Sequence, residues 1–246
     1  MKNLISILFV SLNLAIVACN EQTQWNASSE NWVETGDTNK PIKLSDTIDF
    51  QTAAAKTAHH ASFQLKQNTV YDGSWVNIGY PGGDPGYQQG VCTDVVIRAL
   101  RFVNIDLQEL IHKDMKVAYD IYNKKYTTKN LDNNIDHRRT QNIQTYLTRM
   151  DAKIPIPEKI SNYKPGDIVF WDIAAGHTGI VSNKKSPNHS GFMVIHNIGS
   201  GAQEEDLLYN WDPIEVYRVT DEIAEKMQQK CTFKYDETKD FKRYVQ

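Results

Sequence analysis

In the stretch GVCTDVVIRALRF, Gly90 to Phe102, a glycine-marked loop gives way to one cysteine and then to an amphipathic pattern. Val91, Val95, Val96, Ala99, Leu100 and Val103 recur at helical spacing and predict a helix with one buried face. Arg98 and Arg101 fall off that stripe, where charge is expected to stay in water. Cys92 then lies in the first turn, where unpaired backbone N–H groups and the helix dipole favour an anion. A thiol in that position ionises more easily, and the thiolate is the nucleophile. The same cysteine also fits a small buried apolar residue or half of a disulfide.

The 246 residues are 40% hydrophobic and 23% charged, a globular balance sufficient for one sizeable core or two smaller ones. A net charge of -3 leaves no basic footprint for nucleic acid, so none is expected as a partner. The Lys-rich piece from Asn123 to Lys129 is short and tyrosine-interleaved, as in a solvated helix end.

Lys2 precedes an apolar run from Leu4 to Val17, which ends Ile16-Val17-Ala18-Cys19. A positive start, an apolar core and small residues before a cut describe a secretory signal rather than a spanning helix. The Ile-Val-Ala-Cys ending resembles a bacterial lipobox, which implies cleavage before Cys19 and lipidation of its sulfur. Residues 1–19 are therefore read as a lipoprotein signal peptide. Asn20 is not the aspartate that would suggest inner-membrane retention. The expected location is the cell envelope, lipid-anchored in the outer membrane and facing the periplasm, with the lipid as the sole membrane contact. That leaves Cys92 and Cys231 in an oxidising compartment, where they could pair. Two cysteines so far apart do not look like a disulfide framework, and a free Cys92 is favoured.

Residues 20–45 are polar and aperiodic and read as a flexible tether, with 46–246 as the folded domain. Asp46 to Asn68 reads as a helix carrying His59 and His60. Tyr71 to Gly90 is too rich in glycine, proline and aromatic residues for regular helix, and a cleft wall is expected there. Asp106 can cap a second helix through Ile121. Asp136 can cap a third, with Ile143, Tyr146, Leu147 and Met150 on its apolar face. His137, Arg138 and Arg139 would then open that helix, where the dipole disfavours cations. Such a conflict suggests a binding job, the guanidinium fork holding carboxylates, or else a solvated cluster paired with Asp132 or Asp136. From Tyr163 the period changes: IVFWD, HTGIVS, FMVIHN and IEVYRV read as strands separated by turns, in an antiparallel, strongly curved sheet. Thr220 caps a last helix from Asp221 to Lys230, and CTFKY is expected to add an edge strand. Helices first and sheet second make the fold class α+β.

His177 opens one of these strands and His196 closes another. A strand-end imidazole facing a helix N-terminus can act as general base for a thiol, with a third polar group orienting it. His196 is the choice for that third group, with Asn197 the alternative.

The order Cys-helix, GDIVFWD, GHTGIV and VIHN resembles the papain-like cysteine peptidases of bacterial cell walls, the NlpC type. More closely, YPGGD, GVCTDVVIRALR, NIDHRR, YKPGDIV, GHTGIVS and VIHNIG together are similar to the family catalogued as domain of unknown function 1287, over roughly Ala58 to Val219. The resemblance implies a papain-like fold, with a helical lobe carrying Cys92 followed by a sheet carrying His177. It implies Cys92 as nucleophile, His177 as base and His196 as the third polar residue. Tyr80, or else Tyr71, would position the scissile carbonyl, and the Cys92 N–H would serve an oxyanion. Thr93-Asp94 departs from the Ser-Gly that usually follows the cysteine in NlpC-type enzymes. Asp94 would raise the thiol pKa unless it points away or caps the helix.

The expected function is a monomeric, cofactor-free cysteine amidase or endopeptidase acting on peptidoglycan stem peptides. Asp94, His137, Arg138 and Arg139 lie on the substrate side, and the arginines could hold the carboxylates of D-glutamate or diaminopimelate. The alternatives are a non-catalytic envelope lipoprotein that binds wall peptide or a protein partner, and a metallo-hydrolase using His137, His177 and His196. No HExxH-like spacing supports the last, and no metal, nucleotide, flavin or haem is implied.

Overall fold

Hydrophobic period decides the layers. Along β4 (Ile168–Trp171) all four residues are buried, so this strand packs on both faces instead of alternating with water. Ile168 and Phe170 join one apolar cluster with the helices, whereas Val169 and Trp171 join a second cluster on the opposite face. A computed structural model of the chain describes residues 51–122 and 130–236. The signal segment with Cys19, the tether and the 123–129 piece lie outside these residues.

The described residues fall within one unit, 47–246. Helix α1 (Ala53–Phe63) is capped by the Thr52 hydroxyl, which accepts the Ala55 N–H. It is shorter than the expected span to Asn68, because a 3-10 turn takes over at Gln64. Strands β1 (Val70–Tyr71) and β2 (Gln89–Gly90) form a short parallel ladder closing the glycine-rich loop, a pairing the sequence reading missed. Helices α2 (Cys92–Arg101) and α3 (Leu107–Ala118) follow. As expected, Asp106 caps α3 by accepting the Glu109 N–H.

The third helix begins later than expected. Residues Asp136–Arg138 form a 3-10 turn, and α4 runs Thr140–Arg149 with Arg139 at its cap position. Asp136 does not cap it, because its carboxylate accepts the Asp132 N–H instead. A main sheet then runs in the order β3 (Lys153–Ile154), β8 (Glu215–Tyr217), β4, β5 (His177–Lys185), β6 (Phe192–Asn197), β7 (Ala202–Glu205). All of its pairings are antiparallel, with a register shift between Val181 and Lys185. The fold class is α+β, with this six-stranded sheet beside the helices.

A short helix α5 (Leu207–Asn210) covers the second cluster, and α6 (Asp221–Gln228) is capped by the Thr220 hydroxyl. The expected edge strand at Cys231–Tyr235 is not formed. The Thr232 and Phe233 N–H groups donate to the Glu109 carboxylate, which removes them from any ladder. Among the described residues, no helix is long and apolar enough to cross a membrane.

Two further expectations are corrected. Arg98 and Arg101 are buried, at 0% and 4% exposure, not wet. Off-stripe positions on α2 face the 79–90 loop and the start of α3, whose Asp84 and Asp106 carboxylates pair with them. Arg98 Nε and Nη2 each donate to Asp84 at 2.8 Å, and Arg101 Nε donates to Asp106 at 2.7 Å. Arg98 also donates to the Gly86 and Gln89 carbonyls, and Arg101 to that of Gly83. These contacts order a loop that has almost no regular secondary structure.

Candidate active site

The turn into α2 is built from residues far apart in sequence. Val91, at the cap position, offers no side-chain oxygen, so Asp94 Oδ2 reaches back to accept the Val91 N–H at 2.7 Å. The same carboxylate accepts from Arg138 Nε at 2.9 Å and Nη2 at 2.8 Å. A Cβ on Gly90 would come within 3.0 Å of the Asp94 side chain, so a larger residue would press on this carboxylate. Asn197 Nδ2 donates to the Gly90 carbonyl at 3.0 Å, tying the turn to the end of β6.

Asp94 therefore caps the helix, one of the two ways in which it would spare the thiol, and still acts on the sulfur. Burial pushes the Cys92 thiol up to about 11, and the Asp94 charge adds to that. The backbone N–H groups of Thr178, Thr93 and Cys92 itself pull it down without overcoming burial. Cys92 is 6% exposed, and both it and Cys231 are free thiols. Cys231 lies by Asp106, whose N–H donates to its sulfur, so no disulfide ties the two.

Gly176 (φ +99°) turns the chain into β5, and His177 is the strand's first residue, paired with Trp171. Thr178, whose N–H serves the Cys92 sulfur, is the next residue. His177 Nε2 and His196 Nδ1 are 3.0 Å apart, and His196 Nε2 is 2.7 Å from Glu205 Oε2. The register explains the line of three. His196 faces Gly179 across one ladder and Glu205 faces Val194 across the next, so the side chains are diagonal neighbours on one sheet face. Trp171 and Trp211 lie with ring centroids 5.7 Å from that of His177 and enclose it. Burial, then the neighbouring His196, lowers His177 to about 3, so the imidazole is neutral at rest. Burial also lowers His196, opposed by Glu205. Among the described residues no hydrogen bond joins the Cys92 sulfur to His177, and Nδ1 is the ring nitrogen left uncommitted.

A cavity of about 180 Å³ opens beside Cys92, lined among others by Tyr71, Thr93, Arg139, Gln141 and Gly176. His177 and His196 do not line it: their side chains share the sheet face of Val181, Val194 and Trp171, opposite the face that packs on the helices, so the structure brings the two imidazoles to each other and not into the Cys92 cavity. The cavity's surroundings sort the other expected site residues. Tyr71 is there, its phenol raised first by burial and then by the Cys92 and Asp94 charges. Tyr80 is elsewhere, its ring 5.3 Å from that of His112 on α3. Arg138 touches the cavity, but its side chain is 1% exposed and its fork is occupied by Asp94. Arg139 is exposed and lines the cavity, with no ion pair among the described residues. His137 is 2% exposed and does not line the cavity; burial and then the Arg101 and Arg138 charges hold it far below the usual imidazole range. Asn197 points to the helix side of the sheet, away from His196. Among the described residues no group of three or more His, Cys, Asp or Glu side chains is placed to hold a metal ion.

Sequence reasoning missed Glu205, Trp211 and the Thr178 N–H. Glu205 stands in a run of acidic and polar residues, QEED, with no local signal. The alternation of β7 could have placed it on the His196 face, had that strand been recognised.

A model of the family described as Domain of unknown function (DUF1287) matches residues 58–219, a span that holds Cys92, Arg138, His177, His196 and Glu205. The chain is also similar to the "Uncharacterized protein YijF" of Escherichia coli (strain K12), 45% identical over 163 residues, which is 65% of this chain and 79% of that protein. No solved structure matches. With its match extending from α1 to the end of the strand region, this chain belongs to the family of Domain of unknown function (DUF1287).

Proposed function

We propose that this protein is a papain-like cysteine hydrolase of the cell envelope, an amidase or endopeptidase acting on peptidoglycan stem peptides. The observation that supports the reading is a hydrogen-bonded Glu205–His196–His177 line at the start of β5, the strand whose Thr178 N–H serves the Cys92 sulfur; the His177 ring itself sits on the other sheet face and must turn toward the cavity to act. The reaction requires the His177 ring to reach the sulfur; Nδ1 then takes the thiol proton as Cys92 Sγ attacks the scissile carbonyl carbon and forms a C–S bond. The Tyr71 hydroxyl, which lines the cavity, and the Cys92 N–H at the helix start are the donors assigned to the developing oxyanion. The C–N bond then breaks, and the leaving amine takes the proton from His177. Water, deprotonated by the same ring, hydrolyses the thioester and restores the thiol.

A thiol pushed up to about 11 and an imidazole lowered to about 3 argue for proton transfer during attack rather than a standing thiolate–imidazolium pair. Arg139, exposed at the cavity and in no ion pair among the described residues, offers a cation for a substrate carboxylate such as D-glutamate or diaminopimelate carries. Arg138 instead holds Asp94 and so shapes the helix start. The envelope address rests on the lipobox-like ending at Cys19.

The test is digestion of purified sacculi by the wild type and by Cys92→Ala. New muropeptides from the wild type alone are expected; identical products from both end the hydrolase reading. One observation favours a second reading, a non-catalytic module that binds wall peptide in the same cavity: the resting thiol is buried and neutral. That reading predicts that Cys92→Ala binds sacculi as well as the wild type while neither cleaves them.

A further inference from the structure

We infer that Glu205 is a positioning residue that selects the tautomers of both His196 and His177, so that His177 Nδ1 carries a lone pair and not a proton. The catalytic consequence rests on the hydrolase reading above; the tautomer assignment does not.

The argument is one of counting protons along the line. A carboxylate only accepts, so the 2.7 Å contact between Glu205 Oε2 and His196 Nε2 requires the proton on His196 Nε2. A neutral imidazole carries one N–H, so His196 Nδ1 is then an acceptor. The 3.0 Å contact from His177 Nε2 must therefore be a donation by His177, which empties Nδ1. Without the carboxylate, the reversed arrangement makes the same histidine–histidine hydrogen bond, with His196 Nδ1 donating and His177 Nδ1 already protonated. A ring in that state cannot take a proton from a thiol. The two arrangements differ only in what stands at His196 Nε2, so the choice falls to Glu205.

The surroundings leave that role to Glu205. Both rings are buried, at 4% and 0% exposure; Trp211 packs on both and Trp171 on His177. The Glu205 side chain is 53% exposed, and it makes no ion pair with Lys or Arg among the described residues. It lies at the end of β7, where strand pairing alone does not call for an acid. Its neighbour Glu204 instead bonds the Ser182 hydroxyl and pairs with Lys184.

The experiment is long-range proton–nitrogen NMR on histidine-labelled protein near pH 7.5, comparing the wild type with Glu205→Ala and Glu205→Gln. In the wild type both rings are expected protonated on Nε2 and bare on Nδ1. Glu205→Ala is expected to turn His177 into a mixture of tautomers or into the reversed one. Glu205→Gln, whose amide can accept or donate, should fall between the two. Sacculus digestion by Glu205→Ala is expected to drop about tenfold, part of the roughly 10²–10⁴-fold that general acid–base catalysis supplies. Unchanged tautomers in Glu205→Ala, or a wild-type His177 protonated on Nδ1, overturn the assignment. A tautomer change in a protein that cleaves nothing would uphold the role of Glu205 and remove the hydrolase reading alone.

Discussion

Asp94 shows how one side chain sets the character of another. It caps α2, binds Arg138 and adds its charge to the burial that keeps the Cys92 proton in place. The helix terminus, which by itself favours a thiolate, is outweighed, because the dipole contributes about 0.3–1 kcal/mol while removing the sulfur from water costs more. Burial and the Asp94 charge thus push the thiol up to about 11, and near neutral pH the sulfur keeps its proton. Iodoacetamide labelling mapped to Cys92 should accordingly be slow at pH 7 and rise with each pH step toward 11. The same residue in urea should react as an ordinary thiol from about pH 8.5. A folded protein labelled rapidly at pH 6 would mean a standing ion pair and would contradict this account.

Among the elements, the loop between β1 and β2 depends on α2 for its order. Asp84 would be raised by burial alone, but the Arg98 charge overrides this and holds it at about 2. Arg101 and Asp106 continue the network to the cap of α3. Removing one partner of a buried pair strands the other charge, so Asp84→Ala should cost about 3–5 kcal/mol in a urea unfolding experiment. Because β2 leads directly into Cys92, the same variant should also loosen the cavity wall formed by Tyr71 and Gly73. A loss under 1 kcal/mol would show that Arg98 finds water or another acceptor when the carboxylate is gone. The glycine, proline and aromatic density of the Tyr71–Gly90 segment had signalled a cleft wall, and the ion pairs explain how so glycine-rich a wall keeps its shape.

For the whole molecule, the apolar pattern separates two clusters across one sheet, and the candidate site lies where the start of β5 meets the start of α2. The proposed envelope anchor depends on residues outside those described. Fractionation tests it: a Cys19→Ala variant should leave the membrane fraction in which the wild type is expected. Equal partition of both would remove the lipid anchor while leaving the hydrolase chemistry untouched.

Much of the arrangement was legible because it is local. The stripe of Val95, Val96, Ala99 and Leu100, the caps Asp106 and Thr220, and the apolar runs of β4, β5 and β6 all follow from spacing along the chain. So did the placement of Cys92 in a first helical turn and of His177 and His196 at strand ends. The tertiary structure alone decided which charges meet. Arg98 found Asp84, Arg138 found Asp94 across 44 residues of chain, and His196 found Glu205 on a strand the pattern had hidden. It also placed Tyr71 rather than Tyr80 beside the sulfur. Periodicity tells which side of an element is dry, but a buried charge is stable only beside its partner, and that partner is chosen by how the elements pack.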